Sequence, residues 1–206
     1  MKSDILEDRG SPPPTGGVPQ PLDGGGDGGS HSDTTRVGLL AFLGTVSMLF
    51  VGFTSTYIVR ESAADWRPLT PPPVLWANTA ILLASSVALE RARRLLRNWD
   101  LPGTQSWFGL TGALGLLFVV GQILTWRALA AEGVFLSTNI HSSFFYLLTG
   151  LHGLHLLGGL VWFVALLLRT RRLAITPGTD ALALFATYWH FLAGLWLYLL
   201  FLLFVL

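Results

Sequence analysis

Four histidines, His141, His152, His155 and His190, lie inside long apolar runs. An ionisable group at membrane depth is costly, so each is a functional hypothesis by default. At 100° per residue, His141 and His152 are offset by about 20°, and His152 and His155 by about 60°. The three therefore share one face of a single helix. About 16 Å of helical rise separates His141 from His152, too far to share a metal, whereas His152 and His155 are close enough to do so. His190, on the next apolar run, is the candidate further ligand. Carboxylates to complete a site are scarce: Glu90, Glu132 and Asp180 all fall near the ends of apolar runs. A four-ligand metal site is poorly supplied. The plainer reading is that these histidines form hydrogen bonds across helices and face the bundle interior or a partner subunit. A haem or metal role, a proton relay and a lipid-headgroup contact are the alternatives.

Five apolar blocks must position these side chains. They run over about 37–59, 72–91, 106–130, 140–168 and 180–206. A hydrocarbon core of ~30 Å needs about 20 helical residues, and each block meets that length. Backbone groups in lipid must be satisfied within the segment, so the blocks are predicted to be helices; alternating strands of ~10 residues, the barrel signature, are missing. Breakers separate them: Pro68 and Pro71-Pro72-Pro73, Pro102-Gly103, and Pro177-Gly178. Small residues at four-residue spacing, Ala80/Ala84/Ala88, Gly109/Ala113 and Thr111/Gly115, predict close helix approach and a packed bundle. The fold class is all-α: a polytopic membrane protein with a five-transmembrane-helix bundle over 37–206.

Residues 1–36 differ. They carry five prolines and the clusters Gly16-Gly17, Gly24-Gly25-Gly26 and Gly28-Gly29, with few large apolar residues. Such a stretch cannot offset its ordering entropy by burial and is expected to be a disordered tail, not a signal peptide. Basic residues divide unevenly between the two membrane sides. Lys2, Arg9, Arg36, Arg91, Arg93, Arg94, Arg97, Arg169, Arg171 and Arg172 fall on one side, and Arg60, Arg67 and Arg127 on the other. The positive-inside rule puts the N-terminus in the cytoplasm and the C-terminus outside. Trp66, Trp99, Trp107 and Trp126 mark interfaces.

Composition excludes other classes. Of 206 residues, 51% are hydrophobic and 12% charged, about half the ~25% charge of a soluble domain. The absence of cysteine excludes a disulfide scaffold, a zinc ribbon and an iron–sulfur centre. A net charge of +1 gives no basic excess for nucleic acid. There is no Walker loop, dinucleotide fingerprint or Ser/His/Asp signature.

Four stretches resemble the haem-copper oxidase subunit III family, in its bacterial five-helix form. The strongest is Gly133 to Gly159, GVFLSTNIHSSFFYLLTGLHGLHLLGG; YWHFLAGLWLY, Tyr188 to Tyr198, is similar to the family's closing helix. WANTAILLASSVALERARR, Trp76 to Arg94, and LGTVSMLFVGFTSTYIVR, Leu43 to Arg60, are similar to two earlier helices. The matching motif residues are His141, Gly150, His152, His155, Gly158, Trp189, His190 and Trp196. The resemblance implies packing, lipid or partner contacts for them, with no catalytic, cofactor or metal role.

The resemblance further implies an accessory subunit of a proton-pumping terminal oxidase of the respiratory chain, in a bacterial cytoplasmic membrane. It implies no cofactor in this chain, with haem and copper in partner subunits. Its partners are then the catalytic subunit I, subunit II and membrane lipids, with no nucleic acid. Seven-helix members hold phospholipids between a two-helix and a five-helix bundle, and the two-helix bundle is absent here. Two family carboxylates are also lost. The pattern L-A-S-E reads Leu43-Gly44-Thr45-Val46, and Y-W-H-F-x-D ends on Ala193. The expected role is therefore packing rather than a carboxylate relay. The alternatives are a subunit of a quinol oxidase or nitric oxide reductase of the same family, or a free-standing small transporter or proton channel.

Overall fold

The computed structural model describes residues 27–61, 72–135, 140–171 and 181–205. Within them lie five helices: α1 (Asp27–Glu61), α2 (Pro73–Arg97), α3 (Leu101–Ala131), α4 (Ile140–Arg171) and α5 (Ala181–Phe204). All five are long and apolar enough to cross a membrane.

The helix ends differ from the hydropathy blocks for local reasons. Helix α1 begins at Asp27 rather than Val37. Residues 1–26 of the expected tail lie outside the described residues. Helix α2 continues past the apolar block to Arg97, placing Arg94 and Arg97 in its last turn, at the negative dipole end. Helix α3 starts at Leu101, not about Ser106, so Pro102-Gly103 opens the helix instead of preceding it. Proline is suited to the first turn because its missing N–H has no partner there anyway. The Asp100 carboxylate caps the helix, accepting from the Gly103 N–H at 3.0 Å. A Cβ at Gly103 would press on that carboxylate, which would have to shift to admit it.

Helix α2 packs along α3, and α5 sits against α2, α4 and α1, while α3 also meets α4. Helix α1 is peripheral and touches α4 and α5 through one stripe, Leu43, Val46, Phe50 and Tyr57. Hydroxyls inside the helices donate to carbonyls one turn back, as Thr54 does to Phe50 at 2.8 Å, Thr111 to Trp107 at 3.0 Å and Thr125 to Gly121 at 2.9 Å. This satisfies them where lipid offers no partner.

The small-residue pattern locates the seams only in part. Ala88, Thr111 and Gly115 are buried as expected, but Ala80, Ala84 and Ala113 are exposed. Helix α2 instead packs through Leu75, Asn78, Thr79, Leu82, Ser85 and Leu89. Spacing identifies residues that share a face; the neighbouring helices decide which face is covered.

Candidate functional site

The interior of the bundle is built on tryptophans. Trp189 on α5 is fully buried and donates its indole N–H to Ser85 Oγ of α2 at 3.0 Å. A Cβ at Gly115 of α3 would stand 2.7 Å from its ring, and one at Gly159 of α4 would stand 3.6 Å from it. One side chain thus joins four helices; it crowds Gly115, while at Gly159 the tight contact for a Cβ would be Tyr188 at 2.9 Å. One heptad on, Trp196 donates to Thr79 Oγ1 at 3.1 Å. Trp126 of α3 donates to Thr149 Oγ1 of α4 at 3.2 Å. Each receiving hydroxyl donates onward within its own helix: Ser85 to Leu82, Thr79 to Leu75 and Thr149 to Phe145. The three indole–hydroxyl pairs tie helices together without a charge. Ser85→Ala leaves the Trp189 N–H unpaired and is expected to cost about 1–2 kcal/mol. The thermal midpoint of the solubilised protein checks this; an unchanged midpoint would refute the tether.

A second seam joins α2 and α3. The Asn78 amide donates to the Phe118 carbonyl at 3.1 Å, and a Cβ at Gly121 would overlap the Asn78 side chain. Nearer the arginine-rich end, Phe108, Phe163 and Phe185 cluster with ring centroids 4.6 to 6.2 Å apart. A Cβ at Gly112 would enter the Phe163 ring.

The histidines do not form one site. His152 is fully buried between Phe118 and Trp196, with ring centroids at 6.1 and 5.2 Å. Neither of its ring nitrogens has a hydrogen-bond partner among the described residues. His155 faces α1, 6.2 Å from both Phe42 and Phe50, and its Nδ1 donates to the Leu151 carbonyl at 2.7 Å. His141 packs 6.0 Å from Tyr57 and donates from Nε2 to the Leu203 carbonyl at 3.1 Å. A carbonyl only accepts, so that bond places a proton on Nε2. His190 is exposed. The shared helix face is real in angle, but its 60° sector straddles a seam. His155 turns to α1, His141 lies between α1 and α5, and His152 turns to α3 and α5. Among the described residues, no group of three or more His, Cys, Asp or Glu stands close enough to hold a metal.

The remaining motif residues are structural neighbours of these. Tyr188, beside Trp189, donates to the His155 carbonyl at 2.6 Å. Gly158 is exposed, and a Cβ there would stand 3.9 Å from the Tyr188 hydroxyl; at Gly150 it would stand 3.8 Å from Trp126. Val46 and Ala193 are buried at 4% and 5% exposure in apolar surroundings. A carboxylate placed at either position would be taken out of solvent at a desolvation cost. Val46→Glu is expected to destabilise the fold by about 2.5 kcal/mol. The fraction of folded protein recovered from membranes measures it, and wild-type recovery would contradict it.

Asn78, Ser85, Gln122 and Thr149 are buried polar residues that titratable chemistry does not single out. Asn78 and Gln122 were visible as uncharged polar side chains at membrane depth, which ordinarily mark helix contacts or ligands. At the arginine-rich end, Glu90 forms ion pairs with Arg93 at 2.8 Å and Arg94 at 3.7 Å. The first pair is half-buried and the second has an exposed arginine, and both are of small energetic weight.

Fold and interior define a class: a polytopic helical membrane protein whose centre is filled by aromatic rings and uncharged hydrogen bonds. The family described as Cytochrome c oxidase subunit III matches residues 29–206, and the chain belongs to that family. Cytochrome c oxidase subunit 3 of Synechocystis sp. is 33% identical, over 85% of this chain and 77% of its own length. The probable cytochrome c oxidase subunit 3 of Nocardia farcinica is 33% identical, over 82% and 86% respectively. The Thermostichus vulcanus subunit 3 is 32% identical, over 85% and 89%.

Proposed function

We propose that this chain is the accessory subunit III of a proton-pumping haem-copper terminal oxidase. It carries no haem or copper itself. It packs against the catalytic subunit I, with subunit II in the same complex, steadies the catalytic subunit during turnover and supports proton uptake. The family match across residues 29–206 carries the reading. The interior supports a packing role: indole–hydroxyl and amide–carbonyl hydrogen bonds join its helices. Val46 and Ala193 stand where the resemblance expects carboxylates, which removes the groups best suited to relay protons through this subunit. The membrane is the bacterial cytoplasmic membrane, with the N-terminus and the arginine-rich ends of α2 and α4 inside.

Deletion of the chain tests the role. The oxidase is expected to begin turnover at near its normal rate and then lose activity over successive turnovers faster than the intact complex. Equal durability with and without the chain would overturn the reading. As a free-standing proton channel, the chain would need a polar path. His155 turns to α1, His141 lies between α1 and α5, and His152 lies between two aromatic rings. Liposomes holding this chain alone are therefore expected to show no proton flux above empty vesicles.

A further inference from the structure

Where α1, α2 and α5 meet at the arginine-rich end, a pocket of about 300 Å³ is lined by Arg36 and Leu39 of α1, Arg93 of α2, and Ala183, Leu184 and Thr187 of α5. Two guanidinium groups from separate helices thus border one space, and among the described residues no carboxylate lines it. Glu90 lies nearby but is shared by Arg93, Arg94 and Arg97, at 2.8, 3.7 and 3.8 Å, so the charge around the pocket stays positive. Arg93 meets Glu90 through Nη1. A guanidinium carries five N–H donors, so others are left for a second acceptor. Ala183 and Leu184 belong to the first turn of α5, where free backbone N–H groups and the helix dipole also favour an anion.

The rest of the lining says which anion. Leu39 and Leu184 give the pocket an apolar side, and a free, hydrated phosphate gains nothing from apolar surface. Helices α1 and α2 both pack on α5 but make no contact with each other among the described residues. The gap between them runs from the pocket along the outward face of α5, past Thr187, His190 and Gly194, which are all exposed. A Cβ at Gly194 would meet nothing within 4 Å, so the gap is open there as well. A basic pocket thus leads directly into an open groove at membrane depth.

We propose that this pocket binds the phosphate of an anionic phospholipid, held by Arg36 and Arg93, with an acyl chain lying along α5 between α1 and α2. Basic pockets between transmembrane helices are a recurrent site for acidic headgroups. Arginine suits the role because its planar fork of N–H donors meets two phosphate oxygens at once. A zwitterionic lipid offers the same phosphate but brings its own cationic group toward the two guanidiniums, so an acidic headgroup such as phosphoglycerol fits better. Arg91 is exposed on the same turn of α2 as Arg93 and lines no part of the pocket. The site is therefore distinguishable from the general positive charge of this membrane face. It is built between α1, α2 and α5 of the five-helix bundle and is distinct from a cleft between two-helix and five-helix bundles. The inference stands on this chain's own residues and does not depend on the oxidase assignment.

Photolabelling of the protein in the assembly with which it purifies, reconstituted in nanodiscs, tests the site. One arm uses phosphatidylglycerol with a diazirine near the glycerol end of an acyl chain; the other uses phosphatidylcholine carrying the same group. Label from phosphatidylglycerol is expected on peptides around Leu39, Arg93 and Leu184, about fivefold or more above that from phosphatidylcholine. Arg36→Gln and Arg93→Gln are each expected to lower it about fivefold, the effect of losing one basic contact at a membrane surface. Arg91→Gln removes the same charge from the same membrane face and is expected to leave the label unchanged. Should Arg93→Gln disturb the Glu90 pairs and fail to assemble, Arg36→Gln decides alone. Equal labelling by the two lipids, or a loss with Arg91→Gln as large as with Arg36→Gln, would overturn the site. So would displacement of the lipid by inorganic phosphate but not by chloride of equal ionic strength, which would make the ligand a free anion.

Discussion

Trp189→Ala is expected to be the most damaging single truncation in the bundle. The side chain is fully buried, donates to Ser85 and lies against the backbones of α3 and α4 at Gly115 and Gly159. Its removal leaves a large cavity at the junction of four helices. Two glycines border that cavity, so no neighbouring side chain can swing in from those positions. Phe/Trp→Ala changes in packed cores cost about 3–5 kcal/mol, and this site belongs at the upper end because it cannot collapse. Trp189→Phe keeps most of the volume and loses the N–H, so it should cost less, close to the effect of Ser85→Ala. Thermal unfolding of the solubilised protein provides the order: alanine far below phenylalanine, and phenylalanine near Ser85→Ala. Equal midpoints for the two Trp189 variants would remove the tryptophan from its central place.

Gly115→Leu attacks the same junction from the opposite side. Its Cβ would stand 2.7 Å from the Trp189 ring and 3.4 Å from Leu160, so the ring must move. Moving the ring breaks the bond to Ser85. Overpacking costs about 1–3 kcal/mol and an unpaired buried N–H about 1–3 more, giving roughly 4 kcal/mol together. Combining Gly115→Leu with Trp189→Phe should recover part of the loss, because the smaller ring yields space. The double-mutant cycle measures this coupling. Strict additivity of the two changes would show that they do not share a space.

The sequence revealed a great deal at the level of whole helices and less at the level of faces. Five apolar blocks of membrane-spanning length predict the five helices directly, because lipid leaves an isolated segment no other way to pair its backbone. In the sequence Pro102 marks a break before the third helix, yet it lies in that helix's first turn behind the Asp100 cap. Proline breaks interiors and suits beginnings, and composition alone does not show which applies. The alanine stripe of α2 has helical spacing but is exposed at Ala80 and Ala84. The face that packs is chosen by Asn78 and Ser85, whose partners Phe118 and Trp189 lie 40 and 104 residues away in the chain. No local pattern contains those distances.

The candidate site was legible in the same uneven way. The motif residues Trp189 and Trp196 were singled out by resemblance, and each proves to join α5 to α2 through a hydroxyl. The histidine face was derived correctly as an angle, but it does not gather the side chains, since one helix face can border two different neighbours. Gln122 carries no charge and belongs to no quoted motif. The sequence shows it as a polar side chain at membrane depth, but its burial beside α4 shows only in the fold.

As a packing subunit, this chain is proposed to sit beside a haem-bearing partner. Affinity purification of the tagged chain from native membranes in mild detergent tests that most directly. The predicted result is co-purification with a multi-helix, haem-containing partner in constant ratio, with no Soret band from the chain isolated away from it. Recovery of the chain alone from active membranes, or a stoichiometric Soret band in the isolated subunit, would contradict the account.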